Sequence, residues 1–118
     1  MSDSDRPPGK TTVSPDVLIS IARLSALSVP GVSHMAAIPG GVNRLFRKGA
    51  NEGVRIEVED ETVFAEMYLV LEEDVNIREV SRNVQMKVAR AVQEMVGMDV
   101  GHVNIHIEDI EYEENTEA

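Results

Sequence analysis

The sequence predicts an α+β fold of two layers: a small mixed β-sheet of three main strands, with room for short edge strands, and two main helices packed on one face. Three observations predict it. From Asn76 to Gly97 the apolar residues Ile77, Val80, Val84, Val88, Ala91 and Met95 recur at steps of three and four, which gathers them on one side of a helix. Residues 54–59, 62–72 and 103–107 alternate apolar and polar side chains with the period of a strand. Ser14-Pro15-Asp16 carries the signals of a helix start: a capping residue, a proline at the first helical position and an acid near the positive end of the dipole.

Taken in order, Met1 to Lys10 is polar and proline-bearing and reads as a flexible tail. Thr11-Thr12-Val13 is compatible with a short edge strand. The first helix runs from Pro15 to about Ser28, with Val17, Leu18, Ile21, Leu24 and Leu27 as its buried side and Ala22, Ser25 and Ala26 allowing close approach. Val29-Pro30-Gly31 stops it. Val32 to Ile38 is compatible with a short strand ending at Pro39-Gly40-Gly41, and Val42 to Lys48 with a short amphipathic helix before the loop of residues 49–53. Val54, Ile56 and Val58 alternate with Arg55, Glu57 and Glu59, and Asp60-Glu61 supplies the turn without the Asn-Gly or Asp-Gly chemistry of the best hairpins.

The next strand places Val63, Ala65, Met67, Leu69 and Leu71 on one face and Phe64, Glu66, Tyr68, Val70 and Glu72 on the other. The long helix follows. Asn76 caps its first turn with Glu79 three residues on, and Gly97 ends it. In the last strand Val103, Ile105 and Ile107 face in, while His102, Asn104, His106 and Glu108 face out. A right-handed crossover favours parallel alignment of that strand with the second hairpin member, with the first member between them as one arrangement. The chain divides into a tail over 1–10, one folded domain over 11–110 and an acidic tail over 111–118. Residues 108–118 hold six acids and little that could pack.

At 118 residues the chain is long enough for one core. It has no apolar run approaching the ~20 residues of a membrane span, so no transmembrane segment is expected, and no export signal opens it. With no cysteine it has neither disulfides nor thiolate sites, which suits a cytoplasmic protein. The net charge of −10 argues against broad binding to nucleic acid or anionic membrane. The charge is uneven: residues 1–55 hold 7 Lys/Arg and 4 Asp/Glu, residues 56–118 hold 4 and 17. Such a bipolar chain can self-associate or offer distinct faces to partners.

No catalytic motif is present, and neither a cofactor nor a metal is expected. His102 and His106, four apart on a strand, have Cβ atoms about 13 Å apart, too far to share one ion, and read as solvated strand residues. His34 has no acid close in sequence. Pro39-Gly40-Gly41 lacks the spacing of a phosphate-binding loop. The candidates for partner binding are two. One is the basic group Arg44, Arg47 and Lys48 with Phe46 beside it, suited to an acidic partner, an anionic head group or a second copy's acidic tail. The other is the outer sheet face, with Phe64, Tyr68 and Val70, where two of the chain's four aromatic residues point to burial against another subunit.

Several segments together resemble the alkaline shock protein family of bacterial envelope-stress proteins, also called general stress proteins. They are Val13 to Asp16, Val29-Pro30-Gly31-Val32, Gly53-Val54-Arg55-Ile56, Met67-Tyr68-Leu69-Val70, Asn76-Ile77 with Val80, Gln85 with Val88, Met95 to Gly97, and Val103-Asn104-Ile105-His106-Ile107. The similarity spans about Thr11 to Ile110. The family often has glycine where Asp74 stands here. The resemblance implies a small cytoplasmic non-enzyme that forms homo-oligomers and is held at the membrane by a separate anchor protein or tied to envelope or lipid synthesis. The sequence-level expectation is therefore an envelope-homeostasis protein acting through self-association and protein–protein contact. The alternative is a small nucleic-acid-binding α+β module, since helix-on-sheet domains often bind RNA; the acidic charge opposes it.

Overall fold

The computed structural model describes residues 7–40 and 49–112. The elements are α1 (Pro15–Leu27), β1 (Val32–Met35), a 3-10 turn (Ala50–Glu52), β2 (Val54–Glu59), β3 (Thr62–Glu72), α2 (Ile77–Val96) and β4 (Asp99–Glu111). They form the two-layer α+β fold expected, with one mixed sheet.

β3 is the axis of the sheet. β4 lies parallel to it over its whole length, Thr62 opposite Asp99 and Glu72 opposite Glu111. On the other side β3 pairs antiparallel with two strands: β2 takes residues 62–67 and β1 residues 69–71. β1 and β2 therefore share one edge of β3 end to end, and no strand stands between β3 and β4. The junction is closed by Gly53, whose carbonyl accepts from Tyr68 N–H at 2.8 Å and whose φ is +74°. A Cβ there would meet the Ala36 carbonyl oxygen and lie 2.9 Å from that of Tyr68. Asp60 and Glu61 both have positive φ, 51° and 64°, as a two-residue hairpin between twisted strands requires. Asp74 is left-handed as well, with φ 64°.

The inner face of β3, Val63, Ala65, Met67, Leu69 and Leu71, is buried beneath the helices together with Val54 and Val103. α2 starts and stops as its sequence demands. Asn76 Oδ1 accepts from Glu79 N–H at 3.0 Å, and Gly97, at φ 78°, donates to the Val92 and Gln93 carbonyls. Its buried row differs from the expected stripe. Val80, Val84, Val88 and Val92 are buried, whereas Ile77 is 46% and Met95 70% exposed. A row of four-residue steps runs obliquely to the helix axis, so contact passes from Val80 to Val92. Ile77 and Met95 sit in the first and last turns, beyond it.

α1 is corrected in the same way. Leu18, Ile19, Ala22 and Ala26 are buried, while Val17, Leu24 and Leu27 are exposed. Small Ala22 and Ala26 let α1 lie close against α2, which it contacts along with β1 and β2, and the larger side chains flank the contact. Ser14 occupies the capping position, but its carbonyl, not its hydroxyl, satisfies the turn, accepting from Val17 and Leu18. Residues 11–13 form no strand, although Val13 packs on the core. Val58, expected inside, is 46% exposed and borders an open hollow with Pro15, Leu18 and Val96. β4 continues past Ile107 to Glu111, and Ile110 pairs with Leu71.

Candidate functional site

Both described helices lie on one face of the sheet, so the alternate residues of four strands form an outer face that, among the described residues, no helix covers. β3 contributes Phe64, Glu66, Tyr68 and Val70, and the register sets His102, Asn104, His106 and Asp109 of β4 opposite them in turn. β2 adds Arg55 and Glu57, opposite Glu66 and Phe64, and β1 adds His34 opposite Val70. All three histidines of the chain are therefore on this face.

Glu66 organises it. One carboxylate oxygen lies 2.6 Å from His106 Nε2. The other accepts from Asn104 Nδ2 at 2.8 Å and lies 3.5 Å from His102 Nε2. Both imidazoles therefore reach the same carboxylate, one on each oxygen. They keep the solvent exposure expected of them, 46% and 40% for the side chains, and are paired through Glu66 as well. Burial pushes the Glu66 carboxyl up, but the hydrogen bonds from His106 and Asn104 and the positive fields of His106 and His102 prevail, holding it below the usual carboxylate range.

The aromatic rings cover this polar centre on both sides. Phe64 meets the His102 ring edge-on, with centroids 5.0 Å apart. Tyr68 stacks on His106 at 4.5 Å and 13° between planes. Phe64 also lies over Gly101, which the register leaves as an extra residue between Val100 and His102. Val70 keeps its place on this face but is 7% exposed, so little of it remains for a partner to cover. Arg55 is tied to Glu57 at 2.8 Å. With Glu57, Glu59 and Glu66 lining the hollow around Phe64, the face is acidic and would repel a phosphate backbone.

His34 does have an acid, brought from the far end of β4. Its Nδ1 lies 3.3 Å from Glu111, and the Ser33 hydroxyl bonds both to that carboxylate and to His34 Nδ1. A nucleophilic triad needs serine on one imidazole nitrogen and acid on the other; here both meet the same nitrogen. Among the described residues no group of three or more His, Cys, Asp or Glu could hold a metal ion, and no helix is long and apolar enough to cross a membrane. The basic candidates Arg44, Phe46, Arg47 and Lys48 lie outside the described residues.

Sequence periodicity placed Phe64, Tyr68, His102 and His106 on one face but missed His34 there and Glu66 as its centre. The signal was the alternation itself: Glu66 falls between the two aromatics as Asn104 falls between the two histidines. Only the parallel register joins the two patterns.

Residues 3–112 match the model of the alkaline shock protein family, described as having a cell envelope-related function. The uncharacterized protein YqhY of Bacillus subtilis (strain 168) is 28% identical over 115 residues, 96% of this chain and 85% of the relative. YloU of the same organism is 30% identical over 106 residues, 86% of this chain and 88% of its own length. Spy1535 of Streptococcus pyogenes serotype M6 is 31% identical over 103 residues, covering 86% and 79%. Among solved structures, MamM-CTD 215-293 superposes with a TM-score of 0.52 at 12% identity, over 81% of this chain and 99% of that one. This is a likeness of fold alone.

Proposed function

We propose that this chain, which belongs to the alkaline shock protein family, is a non-enzymatic interaction protein of cell-envelope homeostasis that self-associates and docks on an envelope or lipid-synthesis partner. It works from the cytoplasmic side, reaching the membrane through that partner. The observation that carries this reading is the outer sheet face, where Phe64 and Tyr68 pack on the two histidines that, with Asn104, satisfy the Glu66 carboxylate. Aromatic rings beside fixed polar groups suit recognition, because they bring large contact area at low entropic cost. The basic group at Arg44, Arg47 and Lys48 is a second contact in this reading, suited to an acidic partner.

The experiment is a pull-down from the native cell with quantitative mass spectrometry, comparing the unaltered chain with a Phe64→Ser/Tyr68→Ser variant of matched folding. The expected result is enrichment of a defined set of envelope or lipid-synthesis proteins that the variant loses. Equal recovery by both would remove the outer face from the mechanism. Charge reversal at Arg44, Arg47 and Lys48 tests the second contact by the same measure.

A further inference from the structure

β3 has both edges occupied, but β4 is held on one side only. It runs 13 residues, Asp99–Glu111, and among the described residues no strand pairs with its far side. A strand held along one side leaves every second N–H and C=O without a strand partner. Gln85 of α2 donates to the Val103 carbonyl at 2.9 Å, so a strand added along this edge takes that carbonyl from an exposed side chain of the same copy. Edges are commonly blunted by proline or lysine, and β4 contains neither. Its two irregularities, at Gly101 and Glu108, lie toward its ends. The six residues between them, His102–Ile107, run in regular register and carry no acid, although the rest of β4 holds Asp99, Glu108, Asp109 and Glu111.

The segment is also self-complementary. Val103-Asn104-Ile105-His106-Ile107 gives the same pattern read in either direction: β-branched, polar, β-branched, polar, β-branched. Placed antiparallel against itself about Ile105, it sets Val103 against Ile107 and Asn104 against His106. β-branched residues then face β-branched residues, and no like charges meet. One step further out, His102 comes opposite Glu108. Beside the edge runs a groove between α2 and β4, floored by Ala89 and bordered by Met86, which is 57% exposed.

We propose that the free edge of β4 pairs antiparallel with the same strand of a second copy, about a two-fold axis at Ile105, joining two sheets into one. The inference rests on the self-association in the function proposed above and deepens it by moving the copy-to-copy contact from the outer face to the sheet edge. Because the axis is perpendicular to the sheet, the outer faces of both copies lie on the same side. Two sets of Phe64 and Tyr68 then form one continuous surface for the envelope partner. The interface is isologous and closes at two copies.

The test uses the full chain. Light scattering at high protein concentration is expected to give twice the 13.0 kDa of one chain. The chain has no cysteine, so single cysteines report contacts cleanly. Directly paired Cα atoms about 4.5–5.5 Å apart suit a disulfide. Mild oxidation should trap Ile105→Cys as a covalent dimer and leave Tyr68→Cys monomeric. In case Ile105→Cys folds poorly, amide exchange on the unaltered chain should show His102–Ile107 slowing as concentration rises. A monomeric mass at every concentration would overturn both the edge pairing and the self-association it rests on. A doubled mass that cross-links through residue 68 instead, with exchange of residues 102–107 insensitive to dilution, would overturn the edge pairing alone. A monomer whose β4 amides are protected only on adding cell extract would assign the edge to a foreign strand and refute the proposal.

Discussion

Replacing Glu66 by glutamine tests whether one carboxylate holds the outer face together. Glu66 accepts from His106 at 2.6 Å and from Asn104 at 2.8 Å, and so ties β3 to β4 through side chains as well as backbone. A hydrogen bond to a charged group contributes about 1.5–3 kcal/mol. Here the carboxylate side chain is 22% exposed, its burial opposes the gain, and glutamine keeps one acceptor oxygen. The expected loss is about 1–2 kcal/mol, or about 4–8 °C in Tm for a domain of this size. The pH dependence follows from the direction of the Glu66 shift. Its carboxyl is held below the ordinary carboxylate range in the folded state, so its contribution is fully present above that range and is lost as the pH falls through the lowered value. Urea unfolding followed by circular dichroism should show the gap between the unaltered chain and Glu66→Gln at neutral pH. The gap should close as the solution is acidified through and below the ordinary carboxylate range. No gap at neutrality, or one equally large in acid, would refute the reasoning.

Three further predictions concern positions where backbone and side chain constrain each other. A Cβ at residue 101 would sit 2.7 Å from Cδ1 and 2.8 Å from Cζ of Phe64, so Gly101→Ala must turn that ring away and lose its contact with His102. The cost is about 0.5–1.5 kcal/mol, read as a lower urea midpoint and as altered His102 ring signals in NMR. Glu61 sits at φ 64° in the β2–β3 turn, a conformation costing a non-glycine residue about 1–2 kcal/mol. Glu61→Gly, after the entropy glycine loses on folding, should raise stability by about 0.5–1 kcal/mol, seen as a higher urea midpoint with unchanged slope. Asn76→Ala removes the bond to Glu79 N–H at 3.0 Å and should cost about 1 kcal/mol, measured by thermal unfolding.

Much of the fold is local and was legible for that reason. Alternation in β3 told its two faces apart residue by residue, and the caps at Asn76 and Gly97 need only their own neighbours. The buried rows of the helices were less legible. Val92 and Ile19 are buried and Met95 and Leu24 are not, because an oblique crossing selects a row that no helical period names. Strand order was the least legible. β1 and β2 share one edge of β3 because Gly53 lets the chain pass between them within contact of the Ala36 and Tyr68 carbonyls, an encounter of three distant segments. The pairing of His34 with Glu111 likewise joins residues 77 positions apart, through the full length of the β3–β4 register.

The chemical state of the outer face supports recognition over turnover. Catalytic groups are commonly kept poised, with a base or nucleophile of shifted affinity for protons next to space for a substrate. Here the groups that could serve are engaged with one another. Glu66 is spanned by His106, Asn104 and His102, its proton affinity is lowered and not raised, and His34 shares one nitrogen with Ser33 and Glu111. Such mutual satisfaction fixes side-chain positions, and fixed rings at Phe64 and Tyr68 can meet a partner with little further loss of entropy. The parallel pairing of β3 with β4 is what makes this possible. It demands a crossover helix on the inner side, which buries one face and, among the described residues, leaves the other, with the long edge of β4 beside it, uncovered.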